Sequence, residues 1–168
     1  MLDIACGKAE LLIRLAERYS ITGDGVDLSP YAVREARARA AARNVSDRLT
    51  FHRQDGRLFP FTEGGYDLAM CVGASWTFGG HVETLSALQR AVRSGGLVVV
   101  GEPFWRKPPD PEYLAASEQM LASFGSLESN VTDGIALGLT FLYCIVTSDD
   151  DWDPLFRPSV ASCRTVRR

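Results

Sequence analysis

The segment Asp3-Ile4-Ala5-Cys6-Gly7-Lys8-Ala9 constrains this chain more than any other. A short apolar run carries an acid near its end. Small residues then alternate through a turn, and an amphipathic stretch follows. The pattern reads as strand, turn and helix, with small side chains that let a ligand approach the backbone and helix-opening amides that face it. A second apolar run ends at Asp27, twenty positions after Gly7. That spacing lets the next parallel strand offer a carboxylate to a ribose diol. The first thirty residues therefore predict a nucleoside-containing cofactor.

The spacing of small residues narrows the choice. A dinucleotide turn needs small residues at its first, third and sixth positions. Counted from Ala5, the sixth position is Glu10, which fails the pattern. Spacing by two gives Ala5, Gly7 and Ala9, all small. With Asp3 ahead of it, the segment resembles the first motif of class I S-adenosylmethionine (SAM)-dependent methyltransferases, roughly D-x-G-x-G-x-G. Two of its three glycines are alanine here, and alanine resists a positive φ. The resemblance extends over about residues 1–147. It implies a Rossmann-like α/β fold of three layers, doubly wound and mostly parallel, with SAM as cofactor.

Strand-like and helical runs alternate, as a parallel sheet with helices on both faces requires. The first strand is expected at residues 1–5. A helix follows at 9–19, with Leu12, Leu15, Ala16 and Tyr19 on one face. The second strand is expected over 25–28. Ser29-Pro30 reads as a cap and first helical residue of a helix reaching Arg43. Residues 49–53 and 66–72 read as the third and fourth strands. A helix over 81–93 has Val82, Leu85, Leu88 and Val92 in phase and Ser94-Gly95-Gly96 as its stop. The Val-rich run 97–101 resembles a buried central strand. A helix over 111–124 and a sixth strand over 139–147 complete the reading. About six strands are expected, and the family's usual seventh is missing. The domain is expected to span residues 1–150, followed by an irregular tail over 151–168, so the chain looks shortened at both ends.

The resemblance implies roles for particular residues. Asp3, Ala5, Cys6 and Gly7 meet the methionine tail. Asp27, with Leu28 beside it, holds the ribose. Gln54-Asp55-Gly56 resembles the family's third motif, with Asp55 accepting from the adenine amino group and Gly56 allowing close approach. Val72 and Gly73, at the end of the fourth strand, reach the methionine end. These positions share the carboxyl edge of the sheet, where open α/β folds bind ligands. Beyond the fourth and fifth strands lie Ser75, Trp76, His81, Glu102 and Trp105. Ser75, Trp76 and Trp105 are candidates to line a substrate pocket, and His81 and Glu102 are candidate proton acceptors.

Composition removes several other classes. A net charge of −3 offers no general attraction to nucleic acid or anionic membrane, and no apolar run is long enough to span a bilayer. No N-P-P-Y or D-P-P-Y follows the fourth strand, which favours a small-molecule acceptor. The four cysteines are widely separated, so neither a metal site nor a disulfide framework is expected, and a reducing, cytoplasmic setting fits best. No tyrosine is followed four positions later by lysine, which disfavours a nicotinamide oxidoreductase. The remaining alternative is a degenerate, non-enzymatic form of the fold. An exposed sheet edge also allows an oligomer.

Overall fold

The computed structural model describes residues 1–117 and 120–148, so the tail expected at 151–168 lies outside the described residues. Five strands form one parallel sheet: β1 (Leu2–Ile4), β2 (Gly23–Asp27), β3 (Leu49–Arg53), β4 (Tyr66–Val72) and β5 (Val92–Gly101). Their order is β3-β2-β1-β4-β5. The chain thus winds outward from β1 in one direction and then, from β4, in the other. The reversal between β1 and β4 opens a crevice at the carboxyl ends of the strands.

Five helices accompany the sheet: α1 (Glu10–Tyr19), α2 (Pro30–Ala42), α3 (His81–Ala91), α4 (Pro111–Ser117) and α5 (Leu127–Ala136). The helical period places Leu12, Ile13 and Ala16 of α1 against Val33, Ala36 and Ala40 of α2, with Leu49, Phe51 and Met70 of the sheet beneath them. Strand alternation sends Leu2, Ile4, Val26, Ala69 and Cys71 to the opposite face, where Leu88 and Ala91 of α3 cover them. The result is the expected three-layer α/β arrangement. Pro30 starts α2, and the Ser29 side chain caps it by accepting from the Ala32 amide at 3.3 Å.

Several expectations need correction. Tyr19 is 63% exposed, because α1 ends there and its buried stripe is completed by Ile13 instead. Val82 is also exposed. Ser94-Gly95-Gly96 does not stop α3. The helix ends at Ala91 and β5 begins at once, with the glycines inside a register shift between the Tyr66–Val92 and Leu68–Leu97 pairs. Gly95 takes φ +72° in this bulge, which its missing side chain permits. The expected helix over 111–124 does not run through: α4 is described over Pro111–Ser117, Met120 lies outside any helix, and residues Leu121–Ser123 form a 3-10 turn. The helix α5 was not anticipated.

The Val-rich run forms the edge strand β5, not a central one. Val98 and Val100 pack under α3, whereas Leu97 and Val99 on the other face are 45% and 40% exposed. Residues 139–147, expected as a sixth strand, join no ladder, and Leu142, Tyr143 and Ile145 are exposed. An apolar β-branched run records a preference for a pleated surface, and only a partner makes it a strand.

Truncation should separate the two sides of α1. Leu12→Ala is expected to cost ~2–5 kcal/mol and Tyr19→Ala less than ~0.5 kcal/mol, both read from urea midpoints with unchanged m-values. Equal losses would contradict the helix orientation.

Candidate functional site

The carboxyl ends of β1 and β2 are joined by a single side chain. Asp27, the last residue of β2, accepts from the Gly7 amide through Oδ2 and from the Ser29 amide through Oδ1, both at 2.8 Å. It therefore clamps the turn after β1 to the turn that opens α2. The Cys6 amide adds a bond to the Val26 carbonyl at 3.1 Å, holding the same two loops together.

The β1–α1 turn has an unusual backbone. Ala5, Gly7 and Ala9 all lie in the left-handed region, at φ +57°, +55° and +55°. The alternation of small residues thus follows an alternation of left-handed conformations. Only Gly7 takes its position without steric cost, and each alanine carries ~1–2 kcal/mol of strain. Ala9 is the N-cap of α1 and gives it no side-chain bond, so the amides at this helix end lack a capping side chain. Lys8 projects over the Tyr31 ring, 5.3 Å from its centroid, so Tyr31 on α2 flanks the turn. Nothing in the spacing of motifs signalled that residue.

Below the turn, Asp3 is buried, and no hydrogen bond to its carboxyl is found among the described residues. Burial raises its pKa to about 8, and the negative charge of Asp27 adds to the shift. Cys6 and Cys71 surround this acid. Burial raises both thiols, with Asp3 as the next cause for each, and Cys71 reaches about 12. Glu102 also acts on Cys71, which places the residue after β5 within electrostatic reach of the β4 end. These are unreactive, protonated cysteines that fill space between acids.

The third motif lies one strand further out. Asp55 follows β3 and starts a 3-10 turn (Gly56–Leu58). Its carboxylate accepts from the Arg57 amide and guanidinium, which hold its pKa down at about 2. Gly56 is buried against β1, where a Cβ would meet Ile4 Cγ2 at 2.5 Å. This close approach requires glycine, and it draws the Asp55 turn towards the Asp3 strand. Leu28 stays largely exposed beside Asp27.

On the other side of β1, Val72 ends β4 and is about half exposed, and Gly73 follows at φ +72° with its amide on the Gly101 carbonyl at 2.8 Å. The loop beyond is pinned from α3. Thr84 is fully buried, and its hydroxyl lies 2.7 Å from the Gly80 carbonyl and 3.1 Å from that of Ser75. Ser75 is accordingly buried, while Trp76 projects outward. Trp105 has a different setting. Its indole N–H donates to the Leu121 carbonyl at 3.0 Å, and its ring packs edgewise on Tyr113 and Phe124. It anchors the α4 region. His81 opens α3 and Glu102 follows β5, and each keeps one buried polar atom without a partner: Nδ1 and Oε1 respectively. Among the described residues no group of His, Cys, Asp and Glu forms a metal site, and no helix is long and apolar enough to cross a membrane.

The geometry therefore gathers Asp3, Ala5, Cys6, Gly7 and Asp27 tightly. It sets Gly56 against β1, and brings Val72, Gly73 and Glu102 to the same sheet edge.

Comparison with known proteins agrees with this arrangement. The family model described as "Methyltransferase domain" matches residues 1–96. An uncharacterized Escherichia coli protein, YjhP, is 31% identical over all of this chain and 67% of its own length. A SAM-dependent methyltransferase from Geobacter sulfurreducens, crystallised with S-adenosyl-L-homocysteine, superposes with a TM-score of 0.86 at 29% identity, covering 98% of this chain and 66% of that one. The ajmaline N-methyltransferase of Rauvolfia serpentina is 24% identical over 75% of this chain and 44% of its own length. The chain belongs to the methyltransferase-domain family. It spans about two thirds of the length of the first two proteins and under half of the third.

Two stability tests follow from the turn. Ala5→Gly should stabilise the fold by ~0.5–1 kcal/mol in urea denaturation, since relief of left-handed strain exceeds the added chain entropy. A loss instead would show that the Ala5 methyl packing outweighs the strain. Asp3 predicts a pH dependence. Its folded pKa, about 8, lies above its ordinary value of 3.8, so the folded state holds a proton that the unfolded chain has released. The resulting stabilisation is fully present below about pH 4 and disappears as pH rises through about 8. Asp3→Asn should flatten this part of the profile and raise the urea midpoint at pH 8.5. An unchanged slope would show that Asp3 does not carry it.

Proposed function

We propose that this chain binds SAM at the carboxyl edge of its sheet and takes part in methyl transfer to a small-molecule acceptor by in-line displacement. The observation that carries this reading is the convergence of a left-handed, small-residue turn, the Asp27 clamp and the buried acid Asp3 at one topological reversal. Family membership supports it, as does the S-adenosyl-L-homocysteine bound to the Geobacter relative. A small acceptor fits the alkaloid substrate in the name of the Rauvolfia relative.

The site's chemistry suits such a ligand. Asp27 and Asp55 supply carboxylate acceptors for the ribose hydroxyls and the adenine amino group, with Leu28 and Gly56 beside the ring. Ala5, Cys6 and Gly7 present backbone to the methionine tail. Asp3 supplies negative charge for its ammonium group, and Val72 and Gly73 leave room at the sulfur end. When bound, SAM supplies a methyl group already activated by its sulfonium. The protein's own task is to align the acceptor and exclude water. His81 and Glu102 are the groups placed to handle the acceptor's proton, with Ser75 and Trp76 on the intervening loop and Trp105 fixing the segment behind it.

Calorimetry provides the test. SAM should bind with release of protons at pH 7, because a cation beside Asp3 favours its charged form. Comparison of buffers with different ionisation enthalpies measures that release, and Asp3→Asn should abolish it. Asp27→Ala should weaken binding by at least tenfold (~1.4 kcal/mol). Absence of SAM binding by the unmodified chain would favour the degenerate, non-enzymatic fold.

A further inference from the structure

The two orphaned atoms at the sheet edge define a more specific requirement. His81 Nε2 lies 3.1 Å from the Asn130 carbonyl oxygen of α5. A carbonyl only accepts, so Nε2 carries the hydrogen and the neutral ring presents a lone pair at Nδ1. That Nδ1 is buried and unpartnered. Glu102 Oε1 is likewise buried without a partner, and as a carboxylate oxygen it too accepts.

Both groups lie on the same side of the sheet. Val98 and Val100 pack from β5 into the cluster that α3 covers, and Glu102 comes directly after the last residue of that strand. The helix covering that face begins with His81. Glu102 also acts on Cys71, which is buried in the same cluster. Buried polar groups normally find partners, so two orphaned acceptors on one side of a ligand-binding edge call for a donor from outside the chain. A hydroxyl brings one hydrogen and satisfies only one of them. An amine in its ammonium form brings at least two when it is primary or secondary.

We propose that Glu102 and His81 form the acceptor subsite for a primary or secondary amine, with Glu102 accepting one N–H and His81 Nδ1 removing another proton. This inference rests on the methyl-transfer reading above and names its substrate class. The amine enters as ammonium and gives one proton to Nδ1. Its freed lone pair forms the new N–C bond, while the pair of the breaking C–S bond stays on sulfur as a thioether. The product is an N-methyl ammonium paired with Glu102, and the His81 imidazolium returns its proton to solvent. The Asn130 carbonyl is the positioning group, since it fixes which nitrogen is free.

The test uses the full chain with S-adenosylhomocysteine bound. N-methylbenzylamine serves as probe and benzyl alcohol as its hydroxyl counterpart. Long-range proton–nitrogen NMR should show His81 as the Nε2–H tautomer, its signals identified by their loss in His81→Gln. The amine should shift the Nδ1 resonance and the alcohol should not. Glu102→Gln should weaken amine binding at least tenfold while S-adenosylhomocysteine affinity stays within twofold, which also confirms that the variant folds. With SAM, His81→Gln should lower amine methylation by ~100-fold or more and remove the limb of the pH profile that the imidazole supplies. The proposal is overturned by an Nδ1–H tautomer, by alcohol binding equal to amine binding, or by Glu102→Gln binding the amine as the unmodified protein does. Failure to bind S-adenosylhomocysteine at all would instead overturn the methyl-transfer reading.

Discussion

Asp27 is the constraint on which the site depends. Its two carboxylate oxygens take amides from two different loops, Gly7 after β1 and Ser29 before α2. Without that bridge, the turn and the second strand would be separate features of neighbouring loops. With it, the backbone opening α1 and the carboxylate ending β2 keep a fixed relation. A carboxylate accepting backbone N–H bonds forms a strong, charge-assisted contact, and each oxygen retains a further lone pair. On the proposed reading, one side chain would then serve both the scaffold and the ligand.

The cost of this geometry is visible nearby. Two alanines adopt left-handed backbone where glycine would be unstrained, and Asp3 is buried with no hydrogen bond to its carboxyl among the described residues. Both features oppose folding of the empty chain. They persist because the surrounding packing fixes them: Leu2 and Ile4 flank Asp3 at almost zero exposure, and Ala9 is buried under α1 and α2. Strain and desolvated charge gather where a ligand is expected, and few comparable features occur in the hydrophobic layers.

The sequence revealed the elements whose reasons are local. Ser29 and Pro30 mark the start of α2 through their own capping chemistry, and β3 and β4 fall where the apolar runs were read. Asp3, Gly7 and Asp27 were legible because their spacing reflects a single strand–turn–helix–strand unit. What escaped notice depends on partners far along the chain. The Val-rich run of β5 matches a central strand in composition, yet its position is set by which strands flank it. Residues 139–147 have strand propensity but no ladder. The contacts of Asp24 also join distant residues: His52 Nε2 lies 2.6 Å from its Oδ1, and Tyr66 donates to the other oxygen across β1. The left-handed state of Ala5 was hidden because alanine's composition argues against it. Asn130 gave no signal, since it acts through its backbone carbonyl and any residue at that position offers one.

The distribution of acids explains why an empty site of this kind can be marginal and still selected. Asp3, Asp27 and Glu102 cluster around one edge of a chain whose net charge is only −3. Burial, and after it the negative charge of Asp27, raises Asp3 to about 8, so that it holds its proton near neutrality. On the proposed reading, a cation entering the crevice would reverse that balance: the proton would leave, and the carboxylate would gain a charged partner. Part of the binding energy is then spent on ionising Asp3, which lowers affinity for the cation. A neutral analogue would leave Asp3 protonated, so it would avoid that cost and also forgo the charge-assisted contact. Mass action closes the argument, since a ligand that binds only the folded state stabilises it by RT ln(1 + [L]/Kd) and offsets the strain of the turn and the burial of the acid together.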